Sequence, residues 1–166
     1  MYGVIAGSRL TLTYTVIVVG AGLLVAALHV RVRFSRGVLW AVALWGLLHM
    51  AGGLIEFDGD AVLYNVDLRL GPVRYDRLVH AFGFGTTAVA SWQAMRNRLA
   101  VAPGIVAGVI AALAGMGVGA LNEVVEFVMS QTMETNVGGY ENTGYDLIAN
   151  TIGCTIAGIW VARRRP

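Results

Sequence analysis

Two acidic side chains inside an apolar segment are the first residues of this sequence that could do chemistry. Glu123 and Glu126 lie in the stretch GVGALNEVVEFVM, after a run from Val101 to Ala120 without any charged residue. An ionised side chain at the centre of a membrane costs about 2.5–3.5 kcal/mol on insertion scales, and less near the interface. We therefore expect other polar groups, protons, water or a bound cation to compensate these carboxylates.

Histidine and aspartate at helical spacing extend this set of candidate ligands. Asp76 and His80 are four positions apart and Glu123 and Glu126 are three apart, so each pair lies on one face of a helix. Carboxylates and histidines at such spacing hold metal ions in helix bundles. His49 adds a second imidazole. Oxygen and imidazole ligands favour a divalent metal such as zinc, manganese or iron.

The residue types predict a role for each member of the set. The predicted metal ligands are His49, His80, Glu123 and Glu126. Asp76 or Asp146 would orient a ligand or act as general base, and Asn150 would donate a hydrogen bond. The predicted substrate-binding residues, among which the two arginines would hold a phosphate, are Arg74, Arg77, Glu56 and Tyr145.

Each of these assignments has a structural alternative. Asp76 and Asp146 could cap helices, and Glu123 and Glu126 could be solvated at the rim of the membrane. Carboxylates and histidines can also satisfy one another through hydrogen bonds without a metal. The combination of such residues on several apolar helices favours a functional site, because ionisable residues inside membranes are functional by default.

The composition predicts that membrane-spanning helices position these residues. Of the 166 residues, 57% are hydrophobic and 13% are charged, whereas soluble domains are usually about 25% charged. We therefore predict an all-α polytopic bundle in a single integral-membrane domain, residues 1–166. A span needs roughly 20 mostly apolar residues, and five segments qualify, at about Leu10 to Val30, Gly37 to Phe57, Asp76 to Met95, Val101 to Met129 and Tyr145 to Ala162.

The arginines predict the orientation of the bundle. They cluster in the first and third connections and after the last span, at Arg31, Arg33, Arg36, Arg96, Arg98 and Arg163 to Arg165. Under the positive-inside rule these regions are cytoplasmic, which places the N-terminus outside and the C-terminus inside. The acidic residues then all fall on the outer side or in the outer part of a span.

Residue spacing also predicts which helix faces meet. In four of the spans, polar residues share one face with glycine, alanine or threonine, and such small residues mark helix contacts rather than lipid. We therefore predict an outward-opening polar chamber formed by spans two to five. The four faces are Trp45, His49, Gly52 and Glu56; Asp76, His80, Gly83 and Thr87; Ala112, Gly115, Gly119, Glu123 and Glu126; and Asp146, Asn150, Gly153 and Ala157.

The segment from Asp58 to Tyr75 is the longest outer connection. Its sequence VLYNVDLRL alternates apolar and polar residues, which is typical of a short strand or an interfacial ribbon. Gly71-Pro72 predicts a turn before the third span.

The expected partners are membrane lipids. The net charge of +2 and the short triplet Arg163 to Arg165 do not predict a nucleic-acid surface. The G-x-x-x-G pairs Gly104/Gly108 and Gly115/Gly119 favour helix packing, and a homo-oligomer through these glycine-rich faces is the alternative.

Several motifs resemble known membrane proteins. The stretches HMAGG, RYDRLVHAFGFG, NEVVEF and NVGGYENTGYDLIANTIG are similar to the YjdF-type bacterial inner-membrane proteins and to the wider VanZ-like group. The resemblance covers about Trp40 to Gly158, and its members often have six spans where this chain shows five. It implies a multi-pass protein of a bacterial or archaeal plasma membrane, and it implies no established reaction.

Three functions are compatible with these patterns. The first is a metal-dependent hydrolase or transferase that acts on a lipid-linked or cell-envelope substrate. The second is a proton- or cation-coupled transporter, although the inner half of the predicted bundle offers almost no polar residues for a path. The third is a non-catalytic membrane protein whose polar cluster only sets the helix register.

Overall fold

The protein is a bundle of long helices, which confirms the predicted fold class. The computed structural model describes residues 3–4, 9–57, 61–68, 73–132 and 139–165. Within these residues the helices are α1 (Arg9–Val32), α2 (Arg36–Leu54), α3 (Tyr75–Leu99), α4 (Ile105–Thr132) and α5 (Tyr140–Ala162). Helices α1, α2, α4 and α5 are long and apolar enough to cross a membrane.

Helix α3 is the polar member of the bundle and runs alongside α2. At one end of α3, Gln93 exchanges two hydrogen bonds of 2.9 Å with Ser35, which caps the N-terminus of α2. At the other end, the Tyr75 hydroxyl donates a hydrogen bond to the carbonyl of Leu48, near the C-terminus of α2 (3.0 Å). One contact joins the two helices near one end and the other joins them near the opposite end. Helix α3 therefore extends through nearly the same thickness of the bundle as α2.

Small residues let α3 and α4 approach α5 closely. On α3 these residues are Ala81 and Gly85, outside the predicted face, whereas Gly83 of that face packs against Trp45 of α2. A Cβ atom built on Gly153 would overlap the carbonyl oxygen of Ala81, and one on Gly108 would overlap that of Gly158. Backbones that approach too closely for a single Cβ leave no room for lipid between the helices. Gly108, Gly115 and Gly119 of α4 therefore serve packing within the chain, and oligomerisation through the glycines stays a prediction.

Several helix boundaries differ from the predicted spans; α3, for example, continues to Leu99 instead of ending at Met95. Helix α2 ends at Leu54 instead of Phe57, because Ile55–Phe57 forms strand β2 between β1 (Gly3–Val4) and β3 (Ala61–Val62). Helix α4 begins at Ile105 instead of Val101, after Pro103 and Gly104, and the φ of Gly104 is +156°. Helix α5 begins earlier than predicted, at Tyr140, and gains a polar first turn.

The connection between α2 and α3 forms only part of the strand that its alternating apolar and polar residues predict. Strand β3 ends at Val62, and a 3-10 turn at Leu63–Asn65 follows. The turn inserts the Tyr64 side chain, 2% exposed, into a core with Tyr14 and Val79. The predicted Gly71-Pro72 turn lies outside the described residues.

We expect Gly153→Ala to destabilise the bundle, because its Cβ would collide with the Ala81 carbonyl. Overpacking of this kind costs about 1–3 kcal/mol. Thermal unfolding in detergent, followed by tryptophan fluorescence, measures the change. The control is Gly117→Ala on α4, where a Cβ would meet nothing within 4 Å. If both variants unfold at the wild-type temperature, the close contact between α3 and α5 is not rigid.

Candidate functional site

His80 lies at the centre of polar side chains from three helices and is 3% exposed. Its Nε2 atom is 3.5 Å from Asp76 Oδ1 and 3.9 Å from Glu126 Oε1. Its Nδ1 atom is 3.5 Å from Glu123 Oε1 and 3.2 Å from Asn150 Oδ1. One buried imidazole is therefore close to acidic or amide oxygens on α3, α4 and α5.

Two groups of these side chains are close enough to share a metal ion. One is Asp76, His80 and Asp146, and the other is His80, Glu123 and Glu126. In each group the candidate ligand atoms lie within 4.8 Å of one another. We call these five residues together the His80 cluster.

Helix ends and small residues position the His80 cluster. Asp76 lies in the first turn of α3, where the partial positive charge of a helix N-terminus favours a carboxylate. Asp146 lies one turn further into its helix, in the second turn of α5. Gly119 makes room for Asn150, because a Cβ at position 119 would lie 2.8 Å from the Asn150 Nδ2 atom. The same glycine therefore allows Asn150 to reach His80.

Two asparagines that the sequence reasoning missed orient the carboxylates. The Nδ2 atom of Asn122 donates to Glu126 Oε1 at 2.7 Å, and that of Asn142 donates to Asp146 Oδ2 at 2.5 Å. Each asparagine precedes its carboxylate by four positions on the same helix. This spacing in the sequence could have predicted the hydrogen bond. Neutral amides orient the acids without cancelling their charge.

Asp76 and Asp146 form a carboxyl pair beside His80. One carboxylate oxygen of Asp76 lies within 4.8 Å of one of Asp146. Two carboxyl groups this close do not both stay ionised unless a cation compensates them. The pair therefore holds a shared proton or faces a positive charge, and the nearby Arg74 and Arg77 supply part of that charge.

Several buried polar atoms around His80 have no hydrogen-bond partner among the described residues. They are both carboxylate oxygens of Glu123, Oδ1 of Asp146 and Nδ2 of Asn150. These side chains are 5%, 0% and 1% exposed. A buried polar atom without a partner costs about 1–3 kcal/mol. Their convergence indicates that the cluster accommodates a further polar species.

His49, the fourth predicted metal ligand, lies beside the cluster but outside both metal-capable groups of the described chain. Its Nδ1 atom is 2.5 Å from the Tyr64 hydroxyl, which also donates to the His49 carbonyl at 3.0 Å. Burial raises the pKa of Tyr64 well above its ordinary value, so the phenol keeps its proton. Both contacts are satisfied when Nδ1 carries the imidazole proton, which leaves Nε2 of His49 as an acceptor.

The predicted substrate-binding residues are dispersed around the outer end of the bundle. The guanidinium of Arg77 lies 3.8 Å from the centre of the Tyr145 ring, in a cation–π contact between α3 and α5. Arg74 is exposed and pairs with Asp67 in an isolated β-bridge. Glu56 is half-buried in β2. Arg77 and Tyr145 are thus held together, whereas Glu56 belongs to the small sheet.

Two grooves reach the polar residues from the sides of the bundle. A groove of about 520 Å³ between α4 and α5 is lined by Glu123, Tyr140 and Thr143. A second, of about 400 Å³, runs mainly between α1 and α2 and is lined by His49 and Asn122. The polar residues are therefore approached from two sides of the bundle.

We expect Tyr64→Phe to destabilise the fold by about 1–3 kcal/mol, because it removes the hydroxyl that contacts the His49 ring and carbonyl. Thermal unfolding in detergent measures the loss. Tyr140→Phe, at a side chain that is 96% exposed, is the control and should unfold like the wild type. Equal stability of all three proteins would contradict a structural bond between Tyr64 and His49.

Comparison with known proteins identifies a family over the full length. The family model described as "Predicted membrane protein (DUF2238)" matches residues 1–166. Neither the curated proteins nor the solved structures give a significant match. The YjdF-type and VanZ-like names and the plasma-membrane location stay expectations of the sequence resemblance. The helices and the family match together make this chain a multi-pass membrane protein that belongs to the DUF2238 family.

Proposed function

We propose that the His80 cluster binds a divalent metal ion, and that the protein is a membrane-embedded hydrolase or transferase acting on a lipid-linked or cell-envelope substrate. The observation that carries this proposal is the pair of buried, unpartnered oxygens of Glu123 beside His80. Carboxylates in a site of low dielectric need a cation, a proton or water. An imidazole among them favours a transition metal or zinc over calcium or magnesium.

We assign the metal to the group His80, Glu123 and Glu126, because it contains both unpartnered oxygens of Glu123. Ligand atoms about 2.0–2.2 Å from one zinc ion lie at most about 4.4 Å apart, and those of this group lie within 4.8 Å. Small side-chain movements would therefore close it on an ion. Three protein ligands leave a coordination position for water or substrate, as catalytic zinc sites do.

The neighbouring residues supply the other parts of a hydrolytic or transfer site. A bound metal ion would acidify a water molecule. The carboxyl pair of Asp76 and Asp146 adjoins His80 and can accept a proton from that water. Asn150 Nδ2 is a buried donor without a partner, and it would hold a substrate oxygen. Arg77 would attract a phosphate group to the outer end of the bundle.

The packing below the cluster supports an enzyme over a transporter. Beneath His80, the described helices meet through an apolar core of Phe84, Ala88, Ala112, Cys154 and Ala157. The carbonyl of Gly153 also lies against Gly85, where a Cβ would be 2.9 Å away. A coupled ion would need polar groups through this layer. A purely structural cluster is disfavoured because it would satisfy its own buried atoms.

We expect Glu123→Gln to lower the affinity for zinc or manganese by at least roughly tenfold, because it removes a charged ligand while keeping the shape. Metal analysis of the purified protein and competition with a fluorescent chelator measure the change. Glu141→Gln, at an exposed position in the first turn of α5, is the matched control and should bind like the wild type.

The same variants separate the alternatives. The metal site is contradicted if the wild type contains no metal, or if Glu123→Gln contains as much metal as the wild type. The transporter would be favoured if the wild type carries protons or cations into liposomes and Glu123→Gln abolishes this flux.

Metal affinity should also fall as the pH falls. Carboxylates and imidazole bind metal only after they lose their protons, so acid competes with the ion at the His80 cluster. Titration of the wild type with zinc between pH 8 and pH 5 (a range of about three units, chosen around the ordinary histidine value) should show progressive release. Affinity that stays constant over this range would count against ligands of this type.

A further inference from the structure

A narrow apolar groove leads from the membrane to His49 and Asn122, which lie beside the His80 cluster. Its walls are Ile17 to Val25 on α1 and Val42 to Met50 on α2, and it encloses about 400 Å³. The rings of Tyr14 and His49 lie 5.6 Å apart, so the start of α1 meets the end of α2. The groove therefore runs from the middle of the two helices toward the end that carries the polar residues.

Small residues keep this groove open. A Cβ atom on Gly22 would meet nothing within 4 Å, and one on Gly46 would only reach ordinary contact with Val18, at 3.8 Å. Helix α1 is also the least buried candidate span, with 6% of its apolar window inside the protein. Since α1 and α2 both qualify as membrane spans, the groove faces hydrocarbon.

Two polar residues border the groove and connect it to the proposed metal site. His49 contributes its ring, and Asn122 contributes from α4. Asn122 also donates a hydrogen bond to Glu126, which belongs to the metal-capable group around His80. A molecule that fills the groove therefore has one end beside Asn122, one hydrogen bond away from Glu126.

We propose that this groove holds one hydrocarbon chain of a lipid substrate whose phosphate-bearing head lies at the His80 cluster. This inference rests on the proposed function and names its substrate class. The apolar walls extend for about 12 Å along each helix at 1.5 Å per residue, which suits an extended chain. A partner helix, about 10 Å in diameter, does not fit between α1 and α2 at this volume.

The orientation of the groove agrees with that of a lipid in the bilayer. Its apolar part lies toward the middle of the spans and its polar residues toward the end of the bundle. A lipid in the adjacent leaflet places its chain and head in the same order, so it enters sideways without turning over. Its phosphate is then next to the groups that would hold the metal.

Photolabelling tests this assignment. The full-length protein is reconstituted in phosphatidylcholine vesicles with a phosphatidic acid that carries a diazirine in one acyl chain. We expect labelling concentrated on residues 17–25 and 42–50. Gly22→Phe should fill the groove and lower this labelling by roughly tenfold. Gly20→Phe is the control, because Gly20 has equally open surroundings and does not line the groove.

A second variant and a second probe keep the test decisive. Ala43→Phe, on the opposite wall, should lower the labelling as Gly22→Phe does. If one of the two variants folds poorly, the other still tests the proposal. A diacylglycerol with the same diazirine chain lacks the phosphate and should label the groove less. The proposal is wrong if other lipid-facing residues, such as Val106 and Val109 on α4, are labelled as strongly as the groove. It is also wrong if neither phenylalanine lowers the labelling. Equal labelling by both probes would overturn the assignment of the phosphate.

The metal measurement distinguishes failure of this inference from failure of the proposed function. Gly22→Phe lies outside the His80 cluster and should bind zinc like the wild type. If the wild type binds no metal but the phosphate lipid still labels the groove, the metal enzyme is excluded and the lipid site stands. If metal binds at Glu123 but the groove is not labelled, the lipid site is excluded.

Discussion

The cost of burying charge is the constraint on which the rest of this structure depends. Four carboxylates and an imidazole meet inside a bundle whose outer surface is apolar. Each isolated ion in such surroundings costs several kcal/mol, while a whole domain is stable by only about 5–15 kcal/mol. The hydrogen bonds from Asn122 and Asn142 and the contact between Asn150 and His80 relieve part of that cost. The oxygens of Glu123 that remain unpartnered locate the part of the cost that these contacts leave unrelieved.

The packing of the bundle divides it into a tight part and an open part. Helices α3, α4 and α5 meet through glycines whose backbones nearly touch, as at Gly153 and Ala81. This tight part holds the His80 cluster, and ligand geometry at a metal site depends on such support. Helix α1 instead packs lightly and leaves space beside Gly22. The rigid helices therefore position polar groups, and the loosely packed helix borders the surface that faces lipid.

Access to the polar residues is one-sided. The grooves that reach Glu123 and Asn122 open on the flanks of the bundle, while apolar side chains around Phe84 and Cys154 close it below. Under the proposed function, such a site would exchange protons and substrate from one end of the bundle only. This arrangement resembles a reaction chamber more than a conduit, because a conduit needs polar groups on both sides of its binding site.

The sequence by itself determined the helices, their buried faces and most members of the site, because helical periodicity is a local property. The spacing of Asp76 and His80, or of Glu123 and Glu126, was enough to place each pair on a face that the fold buries. Only the tertiary structure decided the contacts between distant segments. Strand pairing of Glu56 with Gly3 and Val62 ended α2 early. The insertion of Tyr64 occupied one nitrogen of His49 and set it apart from the acids. These outcomes depend on which non-helical residues reach the bundle, and helical periodicity carries no information about them.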